Sequence, residues 1–448
     1  MRLPDGFTVG VASAALQVEG SSGTRGTSTW DVFADDPSRI LDGSTPAIAT
    51  DSYARWADDL ALLQDLGVDA YRFSTSWSRV VPDGAHVLNQ DALDHYSRMV
   101  DDLLEAGIRP MVTLFHWDTP APLEDRGGWL RRATAERFAE YAQVVGERLG
   151  DRVADWVTLN EPATVLLNGY GLGIHAPGRA LVFKAIPAVR NMLVAHGLAV
   201  QALRSVPVRG RIGITNVHTP TTPATDSADD AAAADALDFL HNRLFADPVL
   251  SGRRADLPAG ASRVERLALG WWSRIPRRDL GLISQPLDFY GLNYYFPSRV
   301  AAGADDTGAS PDGEAEAMRD VPFHLTEWPG ARTTAFGWPV VPEGLTDLLQ
   351  RMRERYDLPP IVITENGTST DEDLDDPERI AFLRDHLEAA IAGGAEGLYV
   401  WTLLDNWEWA AGFTQRFGLV HVDHATQVRT RRASYAWLRD LLADRRAQ

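Results

Sequence analysis

One pattern recurs along this chain from end to end: a helical stretch closes on Gly or Pro, and a short run of apolar β-branched and aromatic residues follows. Leu60, Leu63 and Leu66 precede Gly67 and the run DAYRFST. Tyr96, Met99, Val100, Leu103 and Leu104 then form a stripe at i, i+3, i+4, i+7 and i+8, the spacing of one helix face. Gly107 stands where a helix C-cap glycine belongs, and RPMVTLFHW follows. Later come LGDRVADWVTLNEP, RGRIGITNV, PLDFYGLNYY, LPPIVITENG and GAEGLYVWTLLD. With FTVGVAS near the start, these make eight strand-like runs separated by helical segments. Near-continuous apolar runs suit strands buried on both faces of a parallel sheet. Strands alternating with helices form βαβ units, and eight of them predict a (β/α)8 TIM barrel, an α/β fold. A doubly wound open sheet is the alternative, but the first βα turn lacks a G-x-G-x-x-G. No mid-chain linker interrupts the pattern, so residues 1–448 read as one barrel domain. Two stretches read as loop insertions: residues 218–235, rich in Thr, Pro, Asp and Ala, and residues 301–320, polar and Gly-rich.

Composition removes several chemistries. The chain has no cysteine, so it has no disulfide, no thiolate nucleophile and no cysteine-based metal site. Lys184 is its one lysine, which leaves a Schiff base a single candidate and a Walker A loop none. Lys and Arg number 43 against 62 Asp and Glu, a net charge of −19, which repels nucleic acid and anionic lipid. No run of 18 apolar residues suggests a membrane span, and MRLPDGFTVG does not read as a signal peptide. A cytoplasmic protein is the default expectation.

Barrel sites form where strands end and βα loops begin. There the sequence places Gln17, Arg72, His116 with Trp117, Asn160 with Glu161, Asn293 with Tyr295, Glu365, and Trp401 followed by Glu408 and Trp409. Glu161 and Glu365 close the fourth and seventh runs. Indole faces pack against the C–H faces of sugar rings, and amides and carboxylates bond hydroxyls. Two Glu residues facing a saccharide are what glycoside hydrolysis needs. Taken singly, a strand-end Glu is more often a helix cap and a Trp more often core; the set together points to carbohydrate chemistry. His421 and His424, in HVDH, suggest a metal pair only weakly, because no further ligand accompanies them.

The segments LQVEG (16–20), YRFSTSW (71–77), VTLFHWDTP (112–120), TLNEP (158–162), FYGLNYY (289–295), ITENG (363–367) and WTLLDNWEWAAGFTQRFG (401–418) resemble those of the β-glycosidases of glycoside hydrolase family 1, in clan A, over essentially the whole chain. The bacterial β-glucosidases are the most similar group. The resemblance implies that Glu161 is the general acid/base and Glu365 the nucleophile. It implies that Gln17, His116, Asn160, Glu408 and Trp409 bind the sugar, with Trp401 as its platform and Trp117 and Phe417 beside it. Arg72, Asn293 and Tyr295 match residues that position the nucleophile, and Trp338 matches the wall for the leaving aglycone. It implies a retaining double displacement through a glycosyl-enzyme, with carboxyl groups about 5–5.5 Å apart rather than the roughly 6.5–9.5 Å of inverting enzymes. A carboxylate near Glu161 would raise its pKa toward neutrality, and esterification of Glu365 would let it fall again.

The expected substrate is a β-glycoside, either a small molecule or an oligosaccharide: a glucoside, with galactosides and fucosides also possible, and with transglycosylation to alcohols open. No cofactor or metal is implied. Leu16, Ala163 and Trp407 depart from the family pattern, which usually has an aromatic, Trp and Phe there, and DSYARW (51–56) replaces D-H-Y-H-R-Y. Ala163 predicts a wider or reshaped leaving-group pocket. A 6-phospho-β-glucosidase is the nearest alternative, but it replaces the Glu408 position and supplies a nearby Lys. A thioglucosidase lacks the acid/base Glu. A non-catalytic glycan-binding relative tends to lose one of the two Glu residues, and both are present.

Overall fold

Each of the eight runs forms a strand in a computed structural model, which describes residues 1–447 apart from 22, 24, 262, 264, 265, 267–274 and 304–321. The strands are β1 (Thr8–Ala12), β2 (Ala70–Ser74), β3 (Arg109–Phe115), β4 (Asp155–Asn160), β5 (Arg211–Val217), β6 (Tyr290–Asn293), β7 (Ile361–Asn366) and β8 (Gly397–Trp401). They pair in sequence order, all parallel, and β8 closes on β1 with Thr8 opposite Gly397 and Ala12 opposite Trp401. A parallel pair needs a crossover, and a helix supplies it each time. The main helices are α1 (Trp56–Leu66), α2 (Gln90–Glu105), α3 (Arg132–Leu149), α4 (Ile186–Arg204), α5 (Arg277–Ile283), α6 (Pro342–Arg355), α7 (Pro377–Ala392) and α8 (Ala433–Arg446).

The strands read as apolar runs because both their faces are covered. Outward residues such as Val112, Ile214, Leu292 and Leu398 pack in one large core with the helices. Inward residues Ala70, Met111, Val157, Phe289, Val362 and Tyr399 fill the barrel itself. α2 shows how the helices present their faces. Asn89 caps its start by accepting from the Ala92 amide at 3.2 Å. Tyr96, Met99, Val100 and Leu103 are buried, whereas Leu104, counted with them in the sequence, is 41% exposed. Gly107 then turns the chain at φ 74°, a conformation that favours glycine.

Residues 218–235 are more ordered than their composition suggests. They hold a strand, Thr221–Pro223, and most of a helix, Ala228–Asp238, whose N-cap Ser227 accepts from the Asp230 amide at 3.0 Å. Aspartates in the first turn and an alanine-rich body are helix-forming features that a loop reading overlooks. Thr221–Pro223 pairs with Ser298–Ala302, which pairs in turn with Phe323–Thr326, in a small sheet beside the barrel. Most of 301–320 lies outside the described residues. No described helix is long and apolar enough to cross a membrane.

Candidate active site

The C-terminal ends of the strands converge on one cavity, and the sequence-selected residues either line it or stand directly behind its wall. His116, Trp117, Glu161, Tyr295, Glu365 and Trp401 line it, as do Trp338, Glu408, Trp409 and Phe417. Gln17, Arg72, Asn160 and Asn293 are buried and bonded to those lining residues.

Two bulges aim the carboxylates. The β4 register shifts against β5 between Val157 and Asn160. Thr158 faces outward, its hydroxyl 2.7 Å from His196 on α4, yet Asn160, two residues on, faces the barrel interior. The β7 register shifts against β6 between Ile363 and Glu365. An extra residue in a strand breaks the two-residue alternation and re-aims the side chains beyond it. Gly367, after Glu365 and Asn366, allows the next strand close: a Cβ there would stand 1.9 Å from the Trp401 carbonyl oxygen. Trp117 (φ 74°), Glu161 (φ 46°) and Trp409 (φ 52°) hold left-handed backbone conformations. Each costs on the order of 1–3 kcal/mol, and such strain gathers at functional sites.

Arg72, 1% exposed, ties the site together. Its Nη1 donates to Glu365 Oε1 at 2.5 Å and to the Thr364 carbonyl at 2.9 Å. Its Nη2 donates to Asn160 Oδ1 at 2.7 Å, and its Nε to Thr113 Oγ1 at 3.0 Å. The Tyr295 hydroxyl donates to the other Glu365 oxygen at 2.7 Å. Because a guanidinium has no acceptor, Arg72 fixes the orientation of the amides around it. Asn160 Oδ1 must accept, so Asn293 Nδ2 donates to it at 3.1 Å and to Glu161 Oε1 at 2.6 Å. Asn293 Oδ1 accepts from the Thr364 hydroxyl at 2.8 Å.

The same logic sets His116. Asn160 Nδ2 lies 3.1 Å from His116 Nε2, so that nitrogen accepts and the ring proton sits on Nδ1. Burial, with Arg72 nearby, pushes the His116 pKa well down, so the ring is neutral. Its buried Nδ1 donor has no hydrogen-bond partner among the described residues. Gln17 is the complement. Its Nε2 donates to the Trp407 carbonyl and to Glu408 Oε2, both at 3.1 Å. Its buried Oε1 is left as an acceptor with no partner among the described residues. One hydroxyl can accept from His116 while another donates to Gln17, which is the pattern a polyol offers.

Glu161, Glu365 and Glu408 line the same cavity, and Arg72 pairs with Glu365 among them. Burial first, and the Glu365 charge second, raise the Glu161 pKa to about 7 against the pull of its Asn293 and Thr164 hydrogen bonds. Burial and then Glu365 raise Glu408 to about 8. A carboxyl that holds a proton near neutrality therefore stands beside one tied to a guanidinium and a phenol.

Aromatic rings form the walls. Trp409 lies 4.4 Å from Trp117, centroid to centroid, and His116 stacks near Trp401 at 5.8 Å. On the other side Trp338 stacks on Phe336 at 4.5 Å and lies 6.0 Å from Phe417. Ala163 does not border the cavity. It is fully buried in the core, and the wall beyond Glu161 is made by Thr164 and Asn168. His421 Nδ1 donates to Asp405 Oδ2 at 3.0 Å, whereas His424 packs on Phe413 at 4.0 Å, so the two histidines serve separate contacts.

Several site residues carry no mark in the sequence reading. Thr113 and Thr364 lie on strands already recognised, where inward alternation could have marked them. Asn168 and His241 line the cavity from π-helical turns, Val165–Leu172 and Phe239–Arg243, which carry no sequence signature.

The family model of glycosyl hydrolase family 1 matches residues 1–447. The chain is 42% identical to the thermostable beta-glucosidase B of Thermobispora bispora, over 99% of this chain and 91% of that protein. It is 40% identical to the bifunctional beta-D-glucosidase/beta-D-fucosidase of Bifidobacterium breve, over the whole of both. Among solved structures it is similar to the psychrophilic beta-glucosidase of Micrococcus antarcticus, with a TM-score of 0.90, 41% identity, and 99% and 98% of the two chains covered.

Proposed function

This chain belongs to glycosyl hydrolase family 1, and from that premise we propose how its site residues carry out the β-glucosidase reaction with retention of configuration. Glu365 is the nucleophile. Arg72 and the Tyr295 hydroxyl hold both its oxygens, which suits an anion attacking the anomeric carbon. Glu161 is the acid/base: it holds a proton near neutrality and hands it to the glycosidic oxygen as the C1–O bond breaks. Once Glu365 is esterified its charge is gone, and Glu161 then takes a proton from the water that cleaves the ester.

The glycone lies between the two polar ends of the site. His116 Nδ1 and Gln17 Oε1 supply a donor and an acceptor, Glu408 bonds a further hydroxyl, and Trp401 and Trp409 cover the C–H faces. The aglycone leaves past Trp338, Phe336 and Thr164. The observation that carries this reading is the shared network in which Arg72, Asn160 and Asn293 join Glu365 to Glu161. Substrates are terminal β-D-glucosides, with β-fucosides and β-galactosides as further candidates. A neutral glycone fits a site with three carboxyl groups better than a 6-phosphate does.

A panel of nitrophenyl β-glycosides tests the reading: the glucoside, galactoside, fucoside and 6-phosphoglucoside. The glucoside is expected to turn over and the phosphorylated member to fail. Activity on the 6-phosphoglucoside alone would overturn it.

A further inference from the structure

Thr164 stands three residues after Glu161 and closes the single helical turn Pro162–Thr164 that leaves β4. Its Oγ1 donates to Glu161 Oε2 at 2.8 Å, and it lines the cavity. The turn is held by the Thr164 amide on the Glu161 carbonyl at 3.1 Å.

The two oxygens of Glu161 are not equivalent. Oε1 accepts from Asn293 Nδ2, and the Arg72–Asn160 contact keeps that amide facing it as a donor. A proton on Oε1 would oppose that N–H, so the proton resides on Oε2. Thr164 therefore touches the oxygen that gives and takes the proton. Its hydrogen bond is charge-assisted when Oε2 belongs to a carboxylate and weaker when Oε2 carries a proton aimed at the leaving oxygen.

We propose that Thr164 is a positioning residue for the second half of the reaction, holding Glu161 Oε2 as the base that receives a proton from water. This rests on the acid/base assignment of Glu161. In the first half, the Oε2 proton passes to the glycosidic oxygen as C1–O breaks and a Glu365 oxygen bonds C1. In the second half, water oxygen bonds C1, the ester bond to Glu365 breaks to release its carboxylate, and the water proton goes to Oε2. The other groups acting on Glu161 are Glu365 from β7, Arg72 from β2, Glu408 from the loop after β8 and the Tyr295 hydroxyl after β6. Substituting Thr164 leaves all four in place.

Thr164→Val removes the hydroxyl at constant shape, and Thr164→Ser keeps it. With an activated aryl β-glucoside, whose second half limits turnover, Thr164→Val should lower kcat about tenfold. KM should fall in parallel, so that kcat/KM stays within about twofold. The alkaline limb of the kcat/KM profile should move to higher pH, and Thr164→Ser should restore both properties. Unchanged kcat and pH profile in Thr164→Val would overturn the proposal. So would an equal fall of kcat and kcat/KM that Thr164→Ser does not repair. Glu161→Ala with azide is the companion measurement. If azide accelerates it and gives the β-glucosyl azide while Thr164→Val is silent, only the role of Thr164 fails. If azide does nothing, the assignment of Glu161 fails and the proposal with it.

Discussion

The two ends of the barrel use the same charged groups to opposite effect. At the N-terminal end, where strands begin, carboxylates meet arginines. Asp155 bonds Arg211 at 2.7 Å, and Arg211 also bonds Glu396 at 2.8 Å. Asp69 is paired with Arg445. Those arginines are partly exposed, so water shares the charge. At the C-terminal end three carboxyl groups, buried Glu161 and Glu365 and partly buried Glu408, share one cavity in which Arg72 pairs with Glu365. Matched charges lower the energy of the fold. A surplus of one sign in a dry site raises it, and what the molecule gains is a carboxyl that carries a proton at neutral pH.

Removing the nucleophile should break this contrast most severely. Glu365→Ala is expected to lower turnover of an aryl β-glucoside on the order of 10⁴-fold or more. Added azide should restore product, now of inverted configuration, as seen by NMR. An azide-insensitive variant would move the nucleophile elsewhere.

Glu161→Gln comes next. For a disaccharide, kcat/KM should fall about 10²–10⁴-fold, the range for lost general acid catalysis, and much less for a substrate with a good leaving group. The same change should stabilise the protein. The Glu161 pKa is raised to about 7 in the fold, so the folded state binds the extra proton and stability is lost as pH climbs from the unfolded value of 4.5 through 7. Thermal melts should show Glu161→Gln above the parent at pH 8, with the gap shrinking as pH falls toward 4.5. A gap that widens on acidification would contradict the sign.

The smallest effect lies at the opposite end. Asp155→Asn should cost about 1–2 kcal/mol in denaturant unfolding, between the values for exposed and buried pairs, because Arg211 is partly open to solvent. Its kcat and KM should match the parent. A kinetic defect would mean that the two ends are coupled.

The fold was legible because strands buried on both faces must read as continuous apolar runs, and all eight do. The strand-end residues were legible because a barrel carries its chemistry there, and the paired motifs around Glu161 and Glu365 resemble those of one family. The bulges were not. A strict alternation puts Asn160 on the same face as Thr158, and only the register shift against β5 turns it inward. Thr164 has no mark in the sequence because its contact depends on one helical turn after a strained residue. The helix Ala228–Asp238 reads as loop when Asp and Ala are weighed as polar and small rather than as first-turn acids and a helix body.

Glu161 holds its proton near neutrality because it is buried beside a charged Glu365. Carbon-13 NMR of labelled glutamate, with Glu161→Gln to assign the signal, can follow the Glu161 carboxyl directly. It should titrate near 7 in the free enzyme, and at lower pH once a slowly hydrolysed 2-fluoro glucoside has esterified Glu365. A carboxyl that titrates near 4.5 in both states would contradict the account.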